Sequence, residues 1–373
     1  MNATHVRSST GAVRVSVLIA AAAAAAMFPT APADAKVSDQ IVVCSEGTTG
    51  KVTVLNSATG AAIVTLVPFG ANTGGHTVAV GDIDNDGIDD LIVGRGKASA
   101  KTRVRIYDGN DLLLGNPNIA PVADFQPFAN SVFGIVHVAA GNTDGIDGDD
   151  LFVGTSNTKN PSNGSKPVST VNMYRFANLS FTVPVPTAIQ PFGAADRNGV
   201  TVATGNVGGD ASIDLVCGQS ASAQSVRAFD GDSLGGVPAT LFTIASPFGG
   251  GYAKGVYVAV GDVGGTDASD DLVIGQKSTS TNVVVYDTTT VVPTVDADTP
   301  FLAYPTKYTT GVRVGVNYDS GFGYIMTGPG SGKTNMMGWH VTPFADDDQL
   351  GFNHYYTFIF STSTKGMFVG GGQ

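Results

Sequence analysis

The stretch from His76 to Gly96 reads HTVAVGDIDNDGIDDLIVGRG. Its VAV and LIV segments have the β-branched content of short strands, and the DIDNDGIDD between them is built from residues that turn a chain. Asp82, Asp84, Asp86 and Asp90 occupy positions 1, 3, 5 and 9 of that turn. Oxygens at alternate positions of a tight loop converge on one point, which suits a hard cation that takes about six to eight oxygen ligands. Gly87 permits the sharp bend, and Ile88 at position 7 can offer its backbone carbonyl. An EF-hand would need Glu at position 12. That position is Val93, inside the second strand, so the loop is of another kind.

The same arrangement recurs down the chain as VHVAAGNTDGIDGDDLFVGTS, VTVATGNVGGDASIDLVCGQS, VYVAVGDVGGTDASDDLVIGQ and the worn copy VRVGVNYDSGFGYIMTGPG. Each copy is introduced by a proline, at 68, 127, 191, 247 and 305, giving spacings of 59, 64, 56 and 58 residues. A period near 60 suits one four-stranded propeller blade with its loops. In the first unit we expect strand A at Val78 to Val80, B at Leu91 to Val93, C at Arg103 to Tyr107 and D near Val122 to Phe125, with DGND as a turn. No window shows a sustained helical period with caps, so the expected fold class is all-β. The N-terminal segments IVVC, KVTVLN and AIVTLVPF read as B-, C- and D-like strands, and the C-terminal YYTFIF and GMFVGGG as A- and B-like. Joining the two ends predicts a closed propeller of four-stranded antiparallel blades, six preferred and seven possible.

These motifs resemble the FG-GAP repeats of β-propellers such as the N-terminal domain of integrin α chains. The PFG at 68–70, 191–193 and 247–249 is similar to the family's first signature, and VAVGDIDNDGIDDLIVG to its calcium-loop core. The resemblance implies a propeller and a calcium site that uses a carboxylate at position 9, so that Asp82, Asp84, Asp86, Ile88 and Asp90 form the ligand set. It names no ligand for the propeller itself, because the repeat serves many functions. The other loops keep fewer ligands: Asn142, Asp144 and Asp150 in the second; Asn206, Asp210 and Asp214 in the third; Asp262, Asp267 and Asp271 in the fourth, which carries one extra residue; Asn317 and Asp319 in the fifth.

Arg7 and Arg14 precede an apolar run and an A-x-A site at Ala33 to Ala35, the pattern of a cleaved signal peptide. Residues 1–35 are therefore expected to be a leader and 36–373 a single propeller domain, exported to the cell surface, periplasm or medium. The net charge of −11 opposes binding to nucleic acid or anionic membranes, and no later apolar run reaches transmembrane length. Cys44 and Cys217 fall on corresponding strands of different repeats, so we expect two buried thiols and no bridge.

GPGSGKT at 328–334 imitates a phosphate-binding loop, but Thr327 stands where its first glycine is required and a strand, not a helix, is expected to follow. No nucleotide is expected. His76, His137, His340 and His354 show no metal-binding spacing. Ser220 in GQSAS lacks the context of a nucleophile, His137 reads as a packed or channel-lining residue, and FNHYYTF at 352–358 reads as strand core or a sugar-stacking surface. The expected function is a calcium-stabilised binding or adhesion scaffold for an extracellular protein or glycan. The alternative is a propeller enzyme, polysaccharide lyase-like or an oxidoreductase, working at the central channel. A channel mouth carrying His, Arg, Tyr and carboxylate groups would favour the enzyme.

Overall fold

The computed structural model describes residues 41–371, apart from 47–48, 57–60, 72–74, 97–98, 264–268, 291, 297–298, 320–321, 331–334, 344–349 and 360–366. The leader at 1–35 and Asp267 therefore lie outside the described residues. Strands β1 (Ile41–Glu46), β2 (Val52–Asn56) and β3 (Ala62–Leu66) come first. The first repeat gives β4 (Thr77–Gly81), β5 (Asp90–Gly94), β6 (Val104–Tyr107) and β7 (Ala123–Phe125). The second gives β8 (Val136–Gly141), β9 (Asp150–Thr155), β10 (Val171–Tyr174) and β11 (Thr187–Ile189), and the third β12 (Val200–Gly205), β13 (Asp214–Gln219), β14 (Val226–Phe229) and β15 (Thr240–Ile244). The fourth has β16 (Val256–Gly261), β17 (Asp271–Gln276) and β18 (Asn282–Asp287), with the short β19 (Thr294–Val295) and β20 (Phe301–Leu302) both paired to β18. The fifth has β21 (Val312–Asp319), β22 (Phe322–Pro329), β23 (Asn335–Pro343) and β24 (Leu350–Ile359), and β25 (Met367–Gly371) ends the chain.

Each repeat folds into one antiparallel sheet of consecutive strands, which makes five propeller blades. The inner strands β4, β8, β12, β16 and β21 stand side by side in that order. The first two strands of the first and second repeats are buried on both faces, as their all-buried patterns show. Because alternate side chains point to opposite faces, Leu91 and Val93 pack toward Val52 and Val54 of the preceding sheet, while Ile92 packs toward Val136 and Val153 of the next blade. The core lies between blades and within none of them.

The remaining strands correct the blade count made from the sequence. Neither six nor seven blades arise from contiguous repeats. The two end fragments share one sheet, in the order β25-β1-β2-β3, so they cannot supply the two separate partial blades that seven would need. β24, which holds the YYTFI of YYTFIF, is the outer strand of the fifth blade, not an inner one. β25, which holds the MFVGG of GMFVGGG, pairs with β1 at the edge of its sheet and runs beside β21 and β4.

DGND is not a bare turn: it opens a five-residue helix, α1 (Gly109–Leu113), whose Asn110 N–H is capped by the Asp108 side chain. After GPGSGKT comes β23, a strand paired to β22, so no helix N-terminus faces that loop. Cys217 is a buried free thiol whose pKa burial pushes far up; Cys44 is on β1, and its side chain lies outside the described residues. Among the described residues no helix is long and apolar enough to cross a membrane.

Candidate metal site

The first loop leaves β4 at Gly81 and enters β5 at Asp90. Left-handed backbone at Asn85 (φ 61°) and Gly87 (φ 92°) curls it back on itself. Asp82 receives the N–H groups of Asp86 and Gly87, both at 3.0 Å, and Asp86 receives that of Ile88 at 2.9 Å. The result brings carboxylate oxygens of Asp82, Asp84 and Asp86 within 4.8 Å of one another, the one such group among the described residues. Asp82 and Asp84 are buried while Asp86 is exposed, so the group opens to solvent on one side.

Asp84 shows that these residues fit a cation. Its Oδ1 is buried with no hydrogen-bond partner. Burial first, then the charges of Asp86, Asp82 and Asp108, raise its pKa. An ionised carboxylate in that position is stabilised by a positive charge placed among the three. The donors are all oxygen, which suits calcium and not a softer transition metal.

Asp90 sits outside this group. Its Oδ2 accepts from the N–H of Ile83 at 3.0 Å and its Oδ1 from that of Gly109, the first residue of α1, at 2.9 Å. Burial pushes its pKa up to about 8. It therefore fastens the start of the loop to α1. The corresponding acids of the second, third and fourth repeats likewise hold the start of their loops, and Asp214 alone repeats both contacts. Asp214 holds Val207 N–H and Gly231 N–H, both at 3.0 Å, with its pKa pushed up to about 7 by burial, and Asp271 holds Val263 N–H at 3.0 Å. Asp150 accepts from the N–H and the hydroxyl of Thr143. The acid at position 9 thus has a structural role that needs no ion.

The remaining loops have separated from the first by distinct substitutions. In the second, the Arg175 guanidinium lies 3.1 Å from Asp144 and 3.5 Å from Asp150, so the protein supplies its own cation there. Arg175 follows β10 at the place where Asp108 follows β6, which reverses the local charge. Asn142 donates its amide to Asp147 O at 3.1 Å. In the third, Asp210 caps a turn by accepting from Ser212 N–H at 3.0 Å. In the fourth, Asp262 and Asp271 bracket a segment that is largely outside the described residues. In the fifth, Asn317 and Asp319 belong to β21 itself, and Asn317 donates to the Tyr324 hydroxyl at 2.7 Å.

Two features escaped the reading of the sequence. The acid at position 8 links neighbouring blades: Asp149 accepts from Asp82 N–H at 2.9 Å while its own N–H donates to Asp82 O at 2.7 Å. Asp270 repeats this with Asn206, at 2.8 Å in each direction. The doubled DD at 149–150 and 270–271 was its visible signal. In addition, His137 and Ser220 meet across the inner strands, Nε2 to Oγ at 3.3 Å, and Lys277 donates to the same hydroxyl. No spacing in the sequence pointed to that meeting.

Comparison with known proteins follows this geometry. The FG-GAP repeat model matches residues 74–107, from the start of the first blade through β6. No curated protein matches the chain. Similar solved structures include the exotype rhamnogalacturonan lyase YesX, at 11% identity over 86% of this chain and 69% of that one, with a TM-score of 0.37. A chain of the mitotic checkpoint complex is 15% identical over 93% and 91% with a score of 0.44, and Saccharomyces cerevisiae Sqt1 is 10% identical over 87% and 83% with a score of 0.46. With all three scores below 0.5, these likenesses carry no argument about activity.

Proposed function

We propose that this chain, a β-propeller carrying an FG-GAP repeat, is an exported calcium-stabilised scaffold that binds a protein or glycan outside the cell or in its envelope. The observation that carries the calcium reading is the Asp82, Asp84 and Asp86 group with its unsatisfied Asp84 oxygen. These three would hold the ion, with Ile88 O offered by its place at position 7 of the loop and Asp90 implied by the family resemblance alone. Calcium would supply the positive charge that three gathered carboxylates lack. The chain's own part is to hold the loop curled, through Asp82 and Asp86, and fastened, through Asp90.

Ring closure belongs to the same reading: the sheet of β25 and β1–β3 fills the space between β21 and β4, and the contacts of β25 with both of them support it. Export rests on the leader pattern and the acidic surface on net charge. A second reading, an enzyme acting at the channel, is favoured by the meeting of His137, Ser220 and Lys277.

Thermal unfolding with calcium and with chelator tests the first reading. An ion that binds only the folded state adds RT ln(1 + [L]/Kd), about 2.7 kcal/mol at a hundredfold excess over Kd. Calcium should therefore raise the melting temperature. A melting temperature indifferent to calcium would remove the metal from the proposal.

A further inference from the structure

His137, Tyr257 and Arg313 are each the second residue of an inner strand, β8, β16 and β21, and each lies opposite a glycine of the neighbouring strand. The acidic loops leave the other end of such strands, about five residues or ~16 Å away. His137 and Tyr257 belong to the second and fourth blades, yet their rings are 6.1 Å apart. Two blades that are not neighbours can bring side chains so close only at the ring's axis. Both residues therefore mark one mouth of the central channel.

Two cations crowd this mouth. Lys277 Nζ lies 5.0 Å from the Tyr257 ring centroid and the Arg313 guanidinium 5.7 Å from it. Lys277 donates to Ser220 Oγ; a lysine ammonium can only donate, so the Ser220 proton remains for His137 Nε2. Burial, then Lys277 and Arg313, push the His137 pKa well below 6.5 and keep the ring a neutral acceptor. Burial first lowers the Lys277 pKa, Tyr257 opposes that shift and Arg313 adds to it, and among the described residues no carboxylate is ion-paired with Lys277. In a chain of net charge −11, this is a local concentration of positive charge. Just inside lies a channel of about 100 Å³ walled by small aliphatic side chains such as Val138, Ala139, Val258, Ala259 and Val314.

We propose that this mouth binds a small organic monocarboxylate, with its carboxylate against Lys277 and Arg313 beside the Tyr257 ring and its carbon skeleton turned toward the channel. Paired cationic donors make strong, charge-assisted hydrogen bonds to a carboxylate. The acidic surface disfavours polyanions. The channel has the volume of about three waters, room for a tail of a few carbon atoms. The site is at the opposite end of the strands from the metal loop and does not depend on it.

Calorimetric titration of the folded protein with butyrate, galacturonate, galactose, butanol and inorganic phosphate tests this, in chelator so that the calcium reading is not at issue. At least one of the two carboxylates should bind about tenfold more tightly than its neutral counterpart, and Lys277→Gln should lose about that factor. Preference for butyrate places the carbon skeleton in the aliphatic channel, whereas binding of galacturonate alone would overturn that placement. If Lys277→Gln does not fold, Arg313→Gln is read by the same titration. The proposal is overturned if neither carboxylate binds the wild-type protein, if phosphate binds as well as they do, or if folded variants keep full affinity.

Discussion

Asp84 and Asp90 are the same residue type six positions apart, and the structure gives them opposite hydrogen-bonding environments. Asp90 satisfies two buried N–H groups, whereas Asp84 leaves a buried oxygen unsatisfied. Asp90→Asn would set an amide NH2 against one of those donors and should cost about 1–3 kcal/mol in chelator. Asp84→Asn should cost little in chelator and abolish the gain from calcium. Thermal melts of both variants, with and without the ion, separate fastening from ligation. A spacing rule could not do so, because it counts carboxylates without showing where their lone pairs point. The Arg175 partner of Asp144 was equally hidden, since it comes from 31 residues along the chain and from another turn of the sheet. With that guanidinium in place, Asp144→Ala should leave calcium stoichiometry unchanged in calorimetry. His76 gives a pH dependence of its own. It is fully buried, accepts the Gly96 N–H at 3.1 Å, and has its pKa lowered to about 4 by burial first and by Arg95 second. The unfolded chain binds that proton more readily, so the stability is present above about pH 6.5 and is lost as pH falls toward 4. The contribution is about 3 kcal/mol. His76→Gln should flatten the wild-type loss of melting temperature in that window.

At the scale of the element, the inner strands explain why the motif reads VGD, AGN, TGN and VGD. A Cβ on Gly81 would come within 2.6 Å of both Ala140 Cβ and Asp149 Oδ2, and one on Gly205 within 2.7 Å of Asp270 Oδ2. Gly81 and Gly205 end their strands where the next blade's position-8 acid enters. Gly81→Ala should lower stability by about 1–3 kcal/mol through overpacking, measured by denaturant melts. The four strands of the first repeat were legible, within a residue or two, from alternation and turn residues. The identities of β24 and β25 were not. Outer and inner strands share β-branched and aromatic content, and only the pairing of β24 with β23 and of β25 with β1 tells them apart. α1 was hidden for a related reason, since a single capped turn has no period to detect.

For the whole molecule, the repeat made the propeller class visible while leaving its ends ambiguous, because five blades are contiguous and the last sheet draws on both termini. If that sheet closes the ring, removing residues 367–373 deletes the strand lying between β21 and β4. The truncated protein should then unfold at lower denaturant concentration and with a broader transition than the full chain. An unchanged transition would mean that closure contributes nothing. The organisation of charge is the other property of the whole. A strongly acidic chain gathers three carboxylates at one loop, answers the next loop with Arg175, and concentrates Lys277 and Arg313 at the opposite end of its inner strands. Calcium calorimetry on the wild-type protein and on Asp84→Ala/Asp86→Ala tests the leading reading most directly. The predicted result is binding at one site in the wild type and its loss in the double variant. No calcium binding by the wild type, or full binding retained by the variant, would contradict it.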